Sequence, residues 1–426
     1  MSNVVELDST GGGGKRARAP RRKPASARRR RRASKTALVL GGGGFTGGVY
    51  EIGALRALDL LTTNRSVNEF DVFVGTSAGS LIAALAANGV TPEQMMQVVN
   101  DQPPAPLRHV DLDQLLRPNV REFVVKGVKL PLHVLGTLAR VGRNLGSFSL
   151  VDLATAVADA LPTGLYSGAG VEELVRSVLA DPGRTDDFRE LACELYLAAT
   201  DLDTCERIVL GADGWDDVPI SAAVRASAAL PMVYEPHVVK GRDLVDGGIV
   251  STTNLDIAVE AGARLVVVVN PLVPFVDGRP AEDGVPRARR VTEMGFPKIG
   301  YQAFKLVAYQ RLHEMARQWQ QDYPGVDIVL IEPEPDDELM FRTSVMDYAA
   351  RTEIARHGFR SVTLKLAEDY EELRDVAQRH GIEISATRVH QALRHLSAEK
   401  ERTAAWRRIL EQTTSALLRQ SAGGAD

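Results

Sequence analysis

Short apolar runs alternate with helical patterns along most of the chain. Ala37–Leu40, Asp71–Val74, Glu194–Ala199, Arg207–Leu210, Arg264–Asn270 and Asp327–Ile331 each read as a strand, and Val266–Val269 is unbroken valine. Strands apolar at every position, rather than at alternate ones, belong inside a sheet covered on both faces. Between them, Val49–Leu61 and Ser77–Asn88 carry apolar and small residues at helical spacing. The predicted class is α/β with a mostly parallel central sheet between helical layers.

Two stretches depart from this alternation. Residues 90–190 read as mostly helical and predict a cap inserted over the sheet. Residues 346–426 are charged and helix-rich, with breaks near Gly381 and Ser397, and predict a C-terminal helical extension to a catalytic domain spanning residues 37–345. Within the cap, Val134, Leu138, Val141 and Leu145 recur on one helical face. Arg121, Lys126, Lys129, Arg140 and Arg143 stand there against Glu122 alone, a basic amphipathic stretch suited to an anionic bilayer or to an ordinary lid helix.

The 426 residues, 44 % hydrophobic and 25 % charged, suffice for a large core. The net charge of −4 conceals an asymmetry. Residues 1–36 hold twelve Lys or Arg against Glu6 and Asp8, giving +10, and the other 390 residues hold 39 basic against 53 acidic side chains, giving −14. So basic and apolar-poor a segment predicts a disordered arm that either serves as a solubilising tail or holds phosphate, with anionic lipid preferred over nucleic acid. Cys193 and Cys205 are too few for a disulfide framework and read as buried thiols of a reducing, cytoplasmic compartment. The sequence shows no apolar run long enough for a membrane-spanning helix.

Chemistry gathers at the strand ends. Gly41, Gly42, Gly43 and Gly44 follow the first strand and lead through Phe45, Thr46, Gly47 and Gly48 into the first helix. Such a run lets backbone N–H groups converge on an anion at a helix N-terminus. Gly42, Gly44 and Gly47 also satisfy the dinucleotide pattern G-x-G-x-x-G, but that reading needs an acidic residue closing the second strand. That strand closes instead on Gly75, Thr76, Ser77, Ala78 and Gly79, a G-x-S-x-G nucleophile elbow. The eight histidines suit packing or surface positions better than a triad. Asp246, followed by Gly247 and Gly248, is the better candidate base. The pairs Asp201 with Asp203 and Asp336 with Asp337 read as solvated turn carboxylates, and no metal or cofactor is expected.

These residues together resemble the patatin-like phospholipases. The glycine loop, G-x-S-x-G and D-G-G stand in that family's order. Ala223, Ser227, Pro231 and Pro236 resemble its A-x-x-x-S-x-x-x-P segment, and Asp201 with Leu202 its A-T-D-L hairpin. The resemblance implies a Ser77–Asp246 dyad, an oxyanion hole from Gly42, Gly43 and Gly44, a Ser77 acyl-enzyme, and a lipid or phospholipid substrate. Two departures stand out. Gly47 precedes Gly48 where the family commonly has Arg or Lys, and Leu255 follows Asn254 where it has proline. A non-catalytic lipid- or partner-binding protein remains the alternative, and oligomeric state is left open.

Overall fold

The computed structural model describes residues 34–394, apart from 109, 111, 113–114, 116–118, 120–162, 276–290, 335–336, 338 and 341–342. The basic arm up to residue 33, the amphipathic stretch 120–145 and the tail from 395 lie outside the described residues. Ser34–Thr36, which the sequence assigns to the arm, are part of the folded unit. Thr36 opens the first strand, and Lys35 pairs with Glu194 at 2.5 Å.

The chain runs β1 (Thr36–Leu40), α1 (Gly44–Leu61), β2 (Val72–Thr76), α2 (Ala78–Ala87) and α3 (Pro92–Val99). It continues through β3 (Gly164–Tyr166), α4 (Ala169–Leu179), the hairpin β4 (Glu194–Asp201) and β5 (Arg207–Leu210), and α5 (Ile220–Ser227). Then come β6 (Met232–Tyr234), β7 (His237–Val239), β8 (Arg242–Asp246), α6 (Leu255–Glu260) and β9 (Leu265–Val269). Then follow the long α7 (Phe296–Asp322), β10 (Asp327–Ile331), α8 (Arg351–Glu368) and α9 (Tyr370–Arg379), with a further helical segment over residues 386–394.

One sheet orders its strands β10-β9-β1-β2-β4-β8-β7, with β5 also paired to β4. The five strands from β10 to β4 are parallel, and β5, β7 and β8 add antiparallel pairings. Side-chain alternation explains why the parallel strands are apolar throughout. Leu38, Leu40, Phe73, Val267 and Val269 point into a core beneath α1, α2 and α8, whereas Ala37, Val39, Val74, Val266 and Val268 point into a second core with Leu255, Leu312 and Trp319. Helices therefore cover both faces, a three-layer α/β architecture.

Two details add to the sequence reading. The segment before β4, read as mostly helical, also holds a short strand, because β3 pairs in parallel with β6 and Tyr166 meets Tyr234 with ring centroids 5.8 Å apart. Strands of three residues are too short for a period to register. The second detail is α8, which lies in the segment read as an extension yet packs directly on α1. A Cβ at Gly53 would fall 2.2 Å from the Ala355 carbonyl, and one at Gly358 would fall 2.4 Å from the Tyr50 carbonyl. Only glycine allows the two helices to approach so closely.

Candidate active site

The parallel register places β1 beside β2, with Leu40 opposite Gly75, so the loops that follow them emerge together. Ser77 takes φ 55° and ψ −127°, a conformation costly for a residue with a Cβ. Its neighbours explain the motif. A Cβ at Gly75 would lie 2.6 Å from the Ser80 Cα, and one at Gly79 2.4 Å from the Leu40 carbonyl, so both flanks of the turn admit only glycine. The Ser77 amide donates to Ser227 Oγ at 3.0 Å, and Ser227 Oγ donates to the Ala198 carbonyl at 2.6 Å. Ser227 thus ties the elbow to β4.

Asp246 arrives from the antiparallel side of the sheet. β8 pairs with β4, Ala199 opposite Asp246, while β4 pairs with β2, Ala198 opposite Thr76, which brings the end of β8 level with the end of β2. Ser77 Oγ donates to Asp246 Oδ2 at 2.5 Å. The other oxygen, Oδ1, accepts the Gly248 amide at 2.7 Å, which fixes the carboxylate plane. Gly247 must be glycine because a Cβ there would stand 2.3 Å from the Ala198 carbonyl. Burial, opposed by the bonds from Ser77 and Gly248, raises the Asp246 pKa from 3.8 to about 6.

The glycine loop divides its amides. Gly41 N–H donates to the Val269 carbonyl and Gly42 N–H to the Thr252 carbonyl, both at 2.9 Å. Gly42 is therefore spent on structure and is not available as an oxyanion donor; its place is against Ser77, where a Cβ would come 3.3 Å from that of the serine. The amides of Gly43 and Gly44 donate to no acceptor among the described residues. Gly47 packs on Pro271, which a Cβ would approach to 3.1 Å, and Gly48 on Ala78, at 3.3 Å. Gly42–Gly44, Ser77 and Asp246 line one small pocket with residues that the sequence did not single out, among them Thr252, Leu272, Tyr301, Phe304 and Val345. Tyr301 and Phe304 come from α7, and no motif marks them. A wholly apolar chamber adjoins the elbow at Gly48 and Ala78, lined also by Phe45, Ile82, Met95 and Val178.

Other candidates lie elsewhere. His313 bonds Glu332 at 2.9 Å, His357 bonds Asp337, and His380 bonds Asp327 at 2.7 Å. Burial, with a further push from Arg225, lowers the His237 pKa to about 4. Among the described residues no histidine bonds Ser77 or Asp246. Asp201 is not solvated: its carboxylate is buried, accepts the amides of Asp203 and Thr204 at 3.0 and 3.1 Å, and pairs with Arg242 at 3.0 Å. The turn thus closes on its own carboxylate. Asp337 is engaged by His357, and Asp336 lies outside the described residues. Both cysteines are free, but Cys205 is exposed rather than buried, because it occupies the tight turn before β5 at φ 58°. Among the described residues no group of three or more His, Cys, Asp or Glu is placed to hold a metal, and no helix is long and apolar enough to cross a membrane.

The model of the family described as patatin-like phospholipase matches residues 38–259, just over half of the chain. The chain belongs to the patatin-like phospholipase family. The Bacillus subtilis protein YqhO is 27 % identical over an alignment of 222 positions that covers 49 % of this chain and 64 % of that relative. Among solved structures, VipD from Legionella pneumophila is similar at 15 % identity and TM-score 0.37, covering 79 % of this chain and 67 % of that one. The type III effector ExoU of Pseudomonas aeruginosa is similar at 16 % identity and TM-score 0.31, covering 87 % and 63 %.

Proposed function

We propose that this member of the patatin-like phospholipase family is a serine lipid acyl hydrolase of phospholipase A or lysophospholipase type. The observation that carries the reading is the bond from Ser77 Oγ to Asp246 Oδ2, made at a strained elbow beside the unengaged amides of Gly43 and Gly44. In this reading Asp246 takes the hydroxyl proton as Ser77 attacks an ester carbonyl. The two amides stabilise the oxyanion, Asp246 passes the proton to the departing alcohol oxygen, and the carboxylate so regenerated takes a proton from the water that hydrolyses the acyl-enzyme and returns it to Ser77 Oγ. An aspartate with a pKa near 6 is ionised at neutral pH yet more basic than an exposed one, as such a base requires.

The apolar chamber against Ala78 supports a long acyl chain as the group transferred. On α7, Ile299, Leu306 and Val307 are exposed on the helix that supplies Tyr301 and Phe304 to the pocket, and Val307 is 66 % exposed. This face is a proposed contact with an anionic lipid surface, and the charge of the basic arm is proposed, separately, to favour the same lipids.

Labelling of the intact protein with a fluorophosphonate probe, beside product analysis on phospholipid vesicles, tests the reading. Label on wild type and none on Ser77→Ala, with fatty acid released only by wild type, is the expected result. A protein that binds vesicles but takes no label belongs to the non-catalytic alternative.

A further inference from the structure

Helix α7 buries a lysine that makes no ion pair among the described residues. Lys305 is only 6 % exposed, between the exposed Leu306 and the half-buried Phe304. Its ammonium lies 4.9 Å from the centroid of the Tyr301 ring, one turn earlier, and no oxygen among the described residues accepts a hydrogen bond from it. The ring that it rests on is a wall of the pocket holding Ser77 and Asp246. The hydroxyl of Tyr301 likewise makes no hydrogen bond among the described residues, and burial keeps it neutral by raising its pKa.

The neighbouring charges do not resolve the deficit. Lys298, two turns back on α7, repels Lys305, and its own ammonium reaches the Thr343 carbonyl at 3.3 Å. Asp337 attracts Lys305, but its carboxylate is already bonded by His357. Burial, with Lys298, brings the Lys305 pKa down to about 8, so most molecules still carry the charge at neutral pH. A cation so nearly buried, with no hydrogen-bond acceptor among the described residues but still reached by solvent, favours an anion brought in from solution. An arrangement of this kind beside a nucleophile is a reason to look for a ligand.

We propose that Lys305, with Lys298 and the Tyr301 hydroxyl, forms a phosphate subsite beside the Ser77 pocket and makes the protein prefer esters that carry a phosphate group. The inference rests on the hydrolase reading for its catalytic consequence, though not for the binding itself. Phosphate suits the site better than a carboxylate does. It offers three or four acceptor oxygens, enough for two ammonium groups and a hydroxyl at once, and a doubly negative group offsets the mutual repulsion of the lysines. Lys305 is here a specificity-determining residue; it takes no part in bond making.

The test compares a 1-acylglycerol 3-phosphate with the 1-acylglycerol of the same chain length, using full-length wild type, Lys305→Met and Lys305→Arg. The expected result is that the ratio of kcat/KM for the two substrates falls at least tenfold in Lys305→Met and recovers for the most part in Lys305→Arg. An unchanged ratio with both substrates still turned over overturns the subsite and leaves the hydrolase reading standing. Binding is read separately, by the thermal shift that inorganic phosphate and glycerol 3-phosphate each give wild type and Lys305→Met. Stabilisation of wild type alone supports the subsite even if neither lipid is hydrolysed, and equal shifts in both proteins overturn it. A Lys305-dependent shift with inorganic phosphate, without preference in turnover, keeps the site but overturns its role in choosing a lipid headgroup. Because Lys305→Arg retains the cation, any loss of fold in Lys305→Met is recognised by comparison with it.

Discussion

Ser77 and Asp246 stand 169 residues apart in sequence and 2.5 Å apart across the ends of β2 and β8. What joins them is β4, parallel to one strand and antiparallel to the other. With two further bonds, from Gly248 to the carboxylate and from Thr200 Oγ1 to the Asp246 carbonyl at 3.1 Å, the aspartate has little freedom to turn away.

The first expectation concerns pH. If Asp246 is the base, only its ionised form is competent, and its pKa is raised by burial to about 6. For a soluble short-chain ester, kcat/KM should fall about tenfold per pH unit below that value and level off above it. A plateau that continues down to pH 4.5 would remove Asp246 from the proton transfer.

A second expectation follows from the division of amides in the glycine loop. A Cβ at Gly43 would meet Pro271 Cγ at 2.8 Å and Gly47 Cα at 2.9 Å, so Gly43→Val must shift the amide proposed to hold the oxyanion. Loss of one such donor costs roughly 2.7–4 kcal/mol of transition-state stabilisation, about a hundredfold or more in rate. The comparison to make is kcat against thermal stability. Unchanged kcat in a folded Gly43→Val protein would exclude this loop from catalysis.

The sequence made some of this site legible and hid the rest, for identifiable reasons. The strained serine and the D-G-G turn leave glycines at fixed offsets, because the Leu40 carbonyl beside Gly79 and the Ala198 carbonyl beside Gly247 exclude any Cβ. Direction within a loop leaves no such trace. Nothing in a run of four glycines shows that the Gly42 amide turns to Thr252 while those of Gly43 and Gly44 find no acceptor among the described residues. The buried valines of β9 announce a covered strand, whereas β6 and β7, three residues each, carry too few positions to show a period. On α7, Tyr301 and Phe304 line the pocket and Lys305 is buried, while Leu306 and Val307 face out. Over residues 305–307 the helix reverses the usual relation of polarity to burial, although further along Leu312 and Trp319 are buried as hydropathy expects.

A third expectation tests packing far from the chemistry. Gly53→Ala would put a methyl group 2.2 Å from the Ala355 carbonyl, on a helix that has no room to retreat from the sheet. Overpacking of this kind costs typically about 1–3 kcal/mol, and backbone rather than a flexible side chain is what must move. Chemical denaturation should show a lower midpoint for Gly53→Ala, with kcat/KM on a soluble ester retained in the fraction that is folded. An unaltered midpoint would mean that α1 and α8 slide apart freely.

The last expectation sets stability against activity at one residue. The Asp246 pKa is higher in the fold than the ordinary 3.8, so the native state holds the proton more tightly than the unfolded chain does. The stability contributed by the protonated form is then present in full below pH 3.8 and lost as the pH rises to about 6, beyond which the loss is complete. A shift of that size corresponds to about 3 kcal/mol. Asp246→Asn carries no charge into the pocket, and its side-chain oxygen can still accept the Gly248 amide that now bonds Oδ1. The variant should therefore be more stable than wild type at pH 7 and nearly equal to it at pH 3.8, with the difference opening between those values. In the same variant ester hydrolysis should drop close to background. The double variant with Ser77→Ala should be little worse than either single one, since a nucleophile and its base act as a unit. Denaturation of both proteins across pH 4–7, beside their turnover, measures both halves of the claim. A variant that is inactive but less stable than wild type at pH 7 would show that the carboxylate supports the fold instead of straining it.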